Sequence, residues 1–483
     1  MLFNSYIFVL LFFPLCLLGY FTLNHFQKYS LAQCYLLVMS LWFYGYFNPG
    51  YLLIILSSIL INYGLYQWMM RCDKEKSRKR IMLIGVLFNV GILIYFKYMD
   101  FFLENVNALF HTNLELWGIL LPLGISFFTF QQISFIVDAY RGEIPDYDFL
   151  SYACFVVYFP QLIAGPIVTH DELIPQFQDK EKKKFNPDHF AQGLYIFTFG
   201  MAKKVLLADT FSDIVVYGFT TLEQLGSISA LLVMLSYTIQ IYFDFSGYCD
   251  MAIGIGKMMN IDLPLNFDSP YKALTITEFW DRWHMTLTRF FTKYVYIPLG
   301  GNRKGKMRTY VNVLIVFLIS GFWHGASWNF VFWGVCHGIF VVITRAFKSF
   351  FDRLHPVFNW FLTFSFVNVM WVFFRAETFS QAVTLIKAVF SWNFTFDPLF
   401  IEMFRLPELK KVLSIFRIED RYPPFLITGF FLVAFVLILG SSNAYQKMKR
   451  FKPTVLNMLL TLFLFTWCVF SFAGISEFLY FNF

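Results

Sequence analysis

Charge is scarce in this chain. Only 14% of its 483 residues are Asp, Glu, Lys or Arg, against about 25% in an ordinary soluble domain. With 58% hydrophobic and 22% aromatic residues, that deficit excludes a water-soluble globule. Short segments of alternating polarity, which build membrane barrels, are missing as well. Paired cysteines are lacking. Cys16, Cys34, Cys72, Cys154, Cys249, Cys336 and Cys468 are scattered singly with no CxxC, so neither a disulfide framework nor a zinc site is expected. Most read as small buried hydrophobes. HxxxH and HExxH are absent, which argues against a metal centre, and no GxSxG elbow points to a serine hydrolase. The glycine-rich stretch at 300–308 matches no phosphate-binding loop. The net charge of +7 gathers in short loops. That pattern is expected of cytoplasmic loops in a membrane protein and does not imply nucleic acid.

What is present is a series of apolar runs, each near the length of about 17–25 residues that crosses a bilayer as a helix. The composition predicts an all-α polytopic membrane protein with about 11–13 transmembrane helices. Spans are expected near 4–23, 31–47, 51–70 and 81–98. The first reads as a retained helix, since it lacks a basic flank and a small-residue cleavage site. The loop Arg71–Arg80 carries six basic residues, which places it in the cytoplasm and the N-terminus outside. Pro122 and Gly124 interrupt the run at 116–140, and Pro160 and Pro166 interrupt the run at 150–168. The lysine-rich 179–184 stretch reads as cytoplasmic, which simple alternation contradicts. Either a re-entrant element lies between 116 and 168, or a helix is miscounted. Helices are expected at 189–208 and 227–259. Asp244 and Asp250 on the second do not share a face, and both read as structural hydrogen-bonding groups. Spans at 309–325, 327–347 and 356–374 follow. A further buried or interfacial segment is expected at 380–396, a charged excursion at 397–424, and final spans at 425–439 and 455–472.

The polar stretch 260–306 cannot face lipid, yet its aromatics are too many for a free loop. It predicts helix packed inside the protein or at the interface. It carries His284 in FWDRWHMTLTRF, beside Asp281 and Arg282. Forty positions on, His324 lies in an almost wholly apolar run with no charged neighbour, followed by His337. A titratable side chain at membrane depth is costly and marks a functional site by default. His337 reads first as a hydrogen-bonded core residue. Imidazole titrates near neutral pH, so His324 and His284 are candidates for general acid–base work in one reaction centre. Arg282, Arg289 and Lys293 are placed either to hold donor phosphates or to pair with Asp281 and Glu278.

Five stretches in order carry a resemblance: PLGISFFTFQ (122–131), YFPQLIAGPI (158–167), YFDFSGYCDMAIG (242–254), FWDRWHMTLTRF with YIPLGGNRKGK (279–306), and GFWHGASWNFVFWGVCHG (321–338). The sequence resembles the membrane-bound O-acyltransferase family, in the bacterial branch of alginate O-acetylase-like polysaccharide and peptidoglycan acetylases. The resemblance implies one membrane domain over 1–483, with a catalytic core at about 116–350 and re-entrant or buried helices around a central pore. It implies that His324 is catalytic and that His284 is the second active-site residue, orienting the donor, binding the carbonyl oxygen or relaying a proton. Arg282, Trp283, Trp323, Asp281 and Arg289 are candidate donor- or substrate-binding residues. The implied function is transfer of an acetyl group from a cytoplasmic donor, acetyl-CoA, across the bacterial cytoplasmic membrane to an extracytoplasmic glycan. A separate SGNH-type acetyltransferase outside, and the surrounding membrane lipids, are the implied partners. D-alanyl transfer to teichoic acid and a non-catalytic transporter or channel are the alternatives; a transporter more often shows two matched halves.

Overall fold

A computed structural model of the chain describes residues 1–404, 414, 423–474 and 478–479. Among the described residues every extended element is a helix, and strand-like pairing is confined to one bridge between Phe267 and Trp283. Six helices are long and apolar enough to cross a membrane: Phe8–His25, Gly50–Met70, Glu75–Phe110, Ser227–Met258, Trp328–Ala346 and Pro356–Arg375. Shorter apolar helices run over Phe379–Val389, Leu426–Gly440 and Val455–Phe470. The protein is a multi-pass membrane protein. Most of the charged excursion expected at 397–424, residues 405–413 and 415–422, lies outside the described residues.

The Ser227–Met258 helix is the axis of the molecule, 78% buried. Its neighbour is Pro187–Ala202, and glycines set their spacing. A Cβ on Gly200 would lie 2.6 Å from the Gly247 carbonyl oxygen, and one on Gly193 would lie 2.5 Å from that of Gly254. Small residues at these crossings let the two backbones touch, which is how membrane helices gain packing energy without a hydrophobic drive. Asp244 and Asp250 hang from this axis into ion pairs. Lys204 meets Asp244 at 2.6 Å and Asp209 at 2.8 Å, and Lys203 meets Asp250 at 2.5 Å. They have the structural role expected of them.

Two regions depart from the expected spans. The fourth does not stop near 98. It continues through a π-helical turn, Ile94–Tyr98, into Met99–Phe110. The interrupted run at 116–140 becomes helical only at Ile125–Arg141. Gly124 starts that helix with φ +70°, where a Cβ would sit 2.7 Å from the Leu162 carbonyl oxygen; only glycine suits both demands. The following Phe149–Val157 helix is capped by Asp148, which accepts from the Ser151 amide at 2.9 Å. At nine residues it is about 13 Å long, far short of a bilayer core of about 30 Å. It breaks at Tyr158 and resumes as Phe159–Leu162, buried throughout. Neither piece is long enough to cross a bilayer by itself. The 260–306 stretch folds inward as two short helices, Ile276–Arg282 and Met285–Phe291, and a π-helical turn, Thr292–Tyr296.

Candidate active site

His284 sits between the two short inward helices. Thr275 caps the first, its Oγ1 accepting from the Glu278 amide at 3.2 Å. That helix ends at Trp283, whose backbone turns extended (φ −100°, ψ 128°) and bridges to Phe267. His284 then takes a left-handed conformation, φ +46°, which is uncommon outside glycine and clusters at functional sites. Its hydrogen-bond partner is Asn266, whose Oδ1 lies 3.1 Å from His284 Nδ1. The same oxygen accepts from the Thr286 amide at 3.2 Å and the Thr286 hydroxyl at 2.9 Å. A backbone N–H can only donate, so that atom is the carbonyl oxygen, and a neutral His284 must carry its proton on Nδ1. Nε2 then bears the lone pair. Phe245, Phe127 and Phe267 surround the ring.

His324 is the last residue of the Lys306–His324 helix. Gly321 and Gly334 bring this helix against Trp328–Ala346: a Cβ on Gly321 would lie 2.4 Å from the Phe330 carbonyl oxygen, and one on Gly334 would lie 2.4 Å from that of Phe317. Trp333 and Phe374 wall the imidazole at centroid distances of 5.1 Å each. Trp323 joins the two histidines, its ring 4.9 Å from His324 and 6.1 Å from His284. Phe130 stacks on its face at 5.2 Å. The two stretches thus form one aromatic chamber. His337 lies beside it, buried as its sequence setting predicts, but it accepts a hydrogen bond, from Trp280 Nε1 at 3.2 Å, where a donating imidazole is the usual core arrangement.

The remaining predicted residues lie around this chamber. Trp283 is wholly buried and packs on Phe279 and Trp371. Arg282 pairs with Glu278 at 2.8 Å. Arg289 forms a two-pronged pair with Glu172, at 2.5 and 2.7 Å. Lys293 bridges Asp138 and Glu143 at 3.1 and 2.8 Å. Each of the three is ion-paired, Arg282 with the expected Glu278 but Arg289 and Lys293 with carboxylates other than Asp281 and Glu278. Asp281 instead lines a cavity of ≈ 250 Å³ with Trp280, Thr288, Ser320 and Arg345. Ser320 stands one helical turn before His324, and Arg345 lies in the last turn of Trp328–Ala346.

Three residues at the chamber carry no signal in the sequence. Asn266 is one of several asparagines. Lys97 and Tyr98 close an apolar run, where a lysine ordinarily reaches out to the interface. Here Lys97 Nζ donates to the Trp323 carbonyl oxygen at 2.6 Å and to that of His324 at 3.1 Å.

Comparison with known proteins adds sequence-wide context to this geometry. The family model described as MBOAT, membrane-bound O-acyltransferase family, matches residues 108–377. The chain is 39% identical to the peptidoglycan O-acetyltransferase of Helicobacter pylori, covering 100% of this chain and 98% of that protein. It is 40% identical to the "Probable alginate O-acetylase" of Pseudomonas putida, covering 81% of each. The teichoic acid D-alanyltransferase of Streptococcus thermophilus is 31% identical over 46% of this chain and 57% of its own length.

Proposed function

Because this chain belongs to the membrane-bound O-acyltransferase family, and is therefore an acyltransferase, we propose that it passes an acetyl group from a cytoplasmic donor to the outer face of the bacterial cytoplasmic membrane, for O-acetylation of a cell-surface glycan. The observation that carries this is the pairing of His284 and His324 across Trp323 in one chamber. The whole-length likeness to a peptidoglycan O-acetyltransferase favours peptidoglycan over alginate as the acceptor. Likeness to D-alanyl transferases reaches less than half of the chain.

The helix bearing His324 starts beside the basic turn Arg303–Lys306, which belongs in the cytoplasm. Nineteen residues carry it about 28 Å toward the outside. The cavity between Asp281, Arg345 and Ser320 therefore lies on the cytoplasmic approach to His324. Acetyl-CoA is the donor we assign to it. In the reaction, His324 takes the proton of an acceptor hydroxyl, since a free alcohol is a weak nucleophile. The oxygen attacks the thioester carbonyl, the carbon–sulfur bond breaks, and the proton follows to the leaving thiolate. His284, with its Nε2 lone pair, orients the acceptor hydroxyl or relays the proton. The acceptor hydroxyl belongs to a separate SGNH-type acetyltransferase outside, which is thereby acetylated and passes the group on to a glycan hydroxyl.

The test is ester-linked acetate on isolated peptidoglycan from cells lacking this protein, complemented with wild type or His324→Ala at equal membrane levels. Restoration by wild type alone supports the assignment. Restoration by both refutes a catalytic His324. Loss of D-alanine esters in place of acetate would reassign the acyl group.

A further inference from the structure

We propose that Lys97 and Tyr98 are positioning residues that clamp the end of the helix carrying His324, an inference that rests on reading His324 as the base. A helix leaves its last four carbonyls without intrahelical partners, and burying them unmet is costly. His324 ends its helix without a glycine cap in the left-handed region; Gly325 leaves extended, φ −167° and ψ 155°. Side chains from a distant helix supply the missing donors. Tyr98 Oη donates to the Phe322 carbonyl oxygen at 2.6 Å, and Lys97 Nζ donates to those of Trp323 and His324 at 2.6 and 3.1 Å. Three consecutive carbonyls are thus met by two consecutive residues.

The π-helical turn Ile94–Tyr98 makes this reach available. On a regular α-helix, adjacent residues point about 100° apart. The wider π turn is often found at functional sites, and here it aims both side chains at one helix end. Lys97 also lies 3.5 Å from Ser126 Oγ and 5.8 Å from the centre of the Trp323 ring. Among the described residues it forms no ion pair with a carboxylate. Its amine is instead set against the carbonyl end of a helix, where N–H donors meet groups that have no intrahelical partner. The clamp therefore holds the backbone of both Trp323, the wall shared by the two histidines, and His324 itself. Displacing a reacting group by about 1 Å can cost about 100-fold in rate.

The test uses the full-length protein in complemented cells, with His324→Ala as reference. Peptidoglycan ester acetate is followed over time at equal membrane levels. Melting temperature and amide hydrogen exchange over 321–327 are measured on the purified chain. Lys97→Met should lower the acetylation rate by about 10- to 100-fold, with an unchanged melting temperature and faster exchange at 322–326. Lys97→Gln, whose amide still donates to carbonyls, should recover part of the rate. Tyr98→Phe should lower it less and probes the clamp independently if Lys97→Met does not accumulate. Full acetylation in Lys97→Met and Tyr98→Phe, with His324→Ala inactive, overturns the clamp. So does a Lys97→Gln as inactive as Lys97→Met with exchange unaltered. An active His324→Ala overturns the proposed function instead, whatever Lys97 does.

Discussion

Two of the buried polar clusters among the described residues are built from opposite materials. Along the Ser227–Met258 axis, Lys203 and Lys204 meet the carboxylates of Asp250, Asp244 and Asp209. Around Trp323, the polar groups are imidazoles held by an amide, an indole N–H and a walled set of rings, with Lys97 turned onto backbone carbonyls. A buried charge matched by its opposite is locked, because separating the pair leaves an uncompensated ion in low dielectric. A neutral imidazole in an aromatic chamber keeps a proton to give or a lone pair to accept it. The first arrangement holds helices together; the second is suited to proton transfer.

That contrast breaks if substitutions in the two centres have the same phenotype. The largest effect belongs to the chamber: His324→Ala should lower acetylation by about 10²- to 10⁴-fold while the protein keeps its melting temperature. In the charged centre, Lys204→Met should destabilise the fold by about 3–5 kcal/mol, seen as a lower melting temperature and reduced membrane level. Activity per folded molecule should stay near wild type. A Lys204→Met protein that is fully stable but inactive would move this pair into the chemistry.

Asn266→Leu sharpens the comparison inside the chamber. It removes the acceptor for His284 Nδ1 and for Thr286. An unmade buried hydrogen bond costs about 1–3 kcal/mol. Spent on the geometry of His284, that is a fall in kcat on the order of tenfold, and Asn266→Asp should recover part of it. The smallest effect lies outside both centres, at Asp262 in the loop after the axis. Partial burial works to raise its pKa, but hydrogen bonds from Lys182 and Lys257 outweigh this and hold the carboxyl below the ordinary range. Its folded-state pKa is depressed, so its stabilisation is present above about pH 4 and fades as pH falls through the folded value. The side chain is 55% exposed, so Asp262→Asn should cost about 1 kcal/mol or less at pH 7. The wild-type and variant melting temperatures should converge near pH 3.

Much of the chamber is legible along the chain. His324 stands out as a titratable group in an almost wholly apolar run, His284 as one in a polar stretch crowded with aromatics, and Trp323 is adjacent to the first. Their partners are not legible. Asp281 and Arg282 are neighbours of His284 in sequence, yet Asp281 lines a separate cavity and Arg282 pairs with Glu278. Asn266 reaches His284 from 18 positions away and Lys97 reaches His324 from 227 away. The arginines expected to offer phosphate contacts are occupied by Glu278 and Glu172. The second of these carboxylates lies on a helix whose place depends on the interrupted 149–178 segment. Gly193, Gly200, Gly247 and Gly254, which no local pattern singles out, are contact points between two helices.

By itself, the sequence determines the class of the molecule: an all-helical membrane protein with basic loops and with histidines set in or beside its apolar runs. Composition suffices because hydrocarbon leaves an apolar chain no other way to satisfy its backbone, and charge near each span sets its orientation. Only the tertiary structure decides which polar groups are locked and which are poised. That choice depends on contacts between residues far apart in sequence, on a π-helical turn that aims two side chains at one helix end, and on packing distances that no local periodicity encodes.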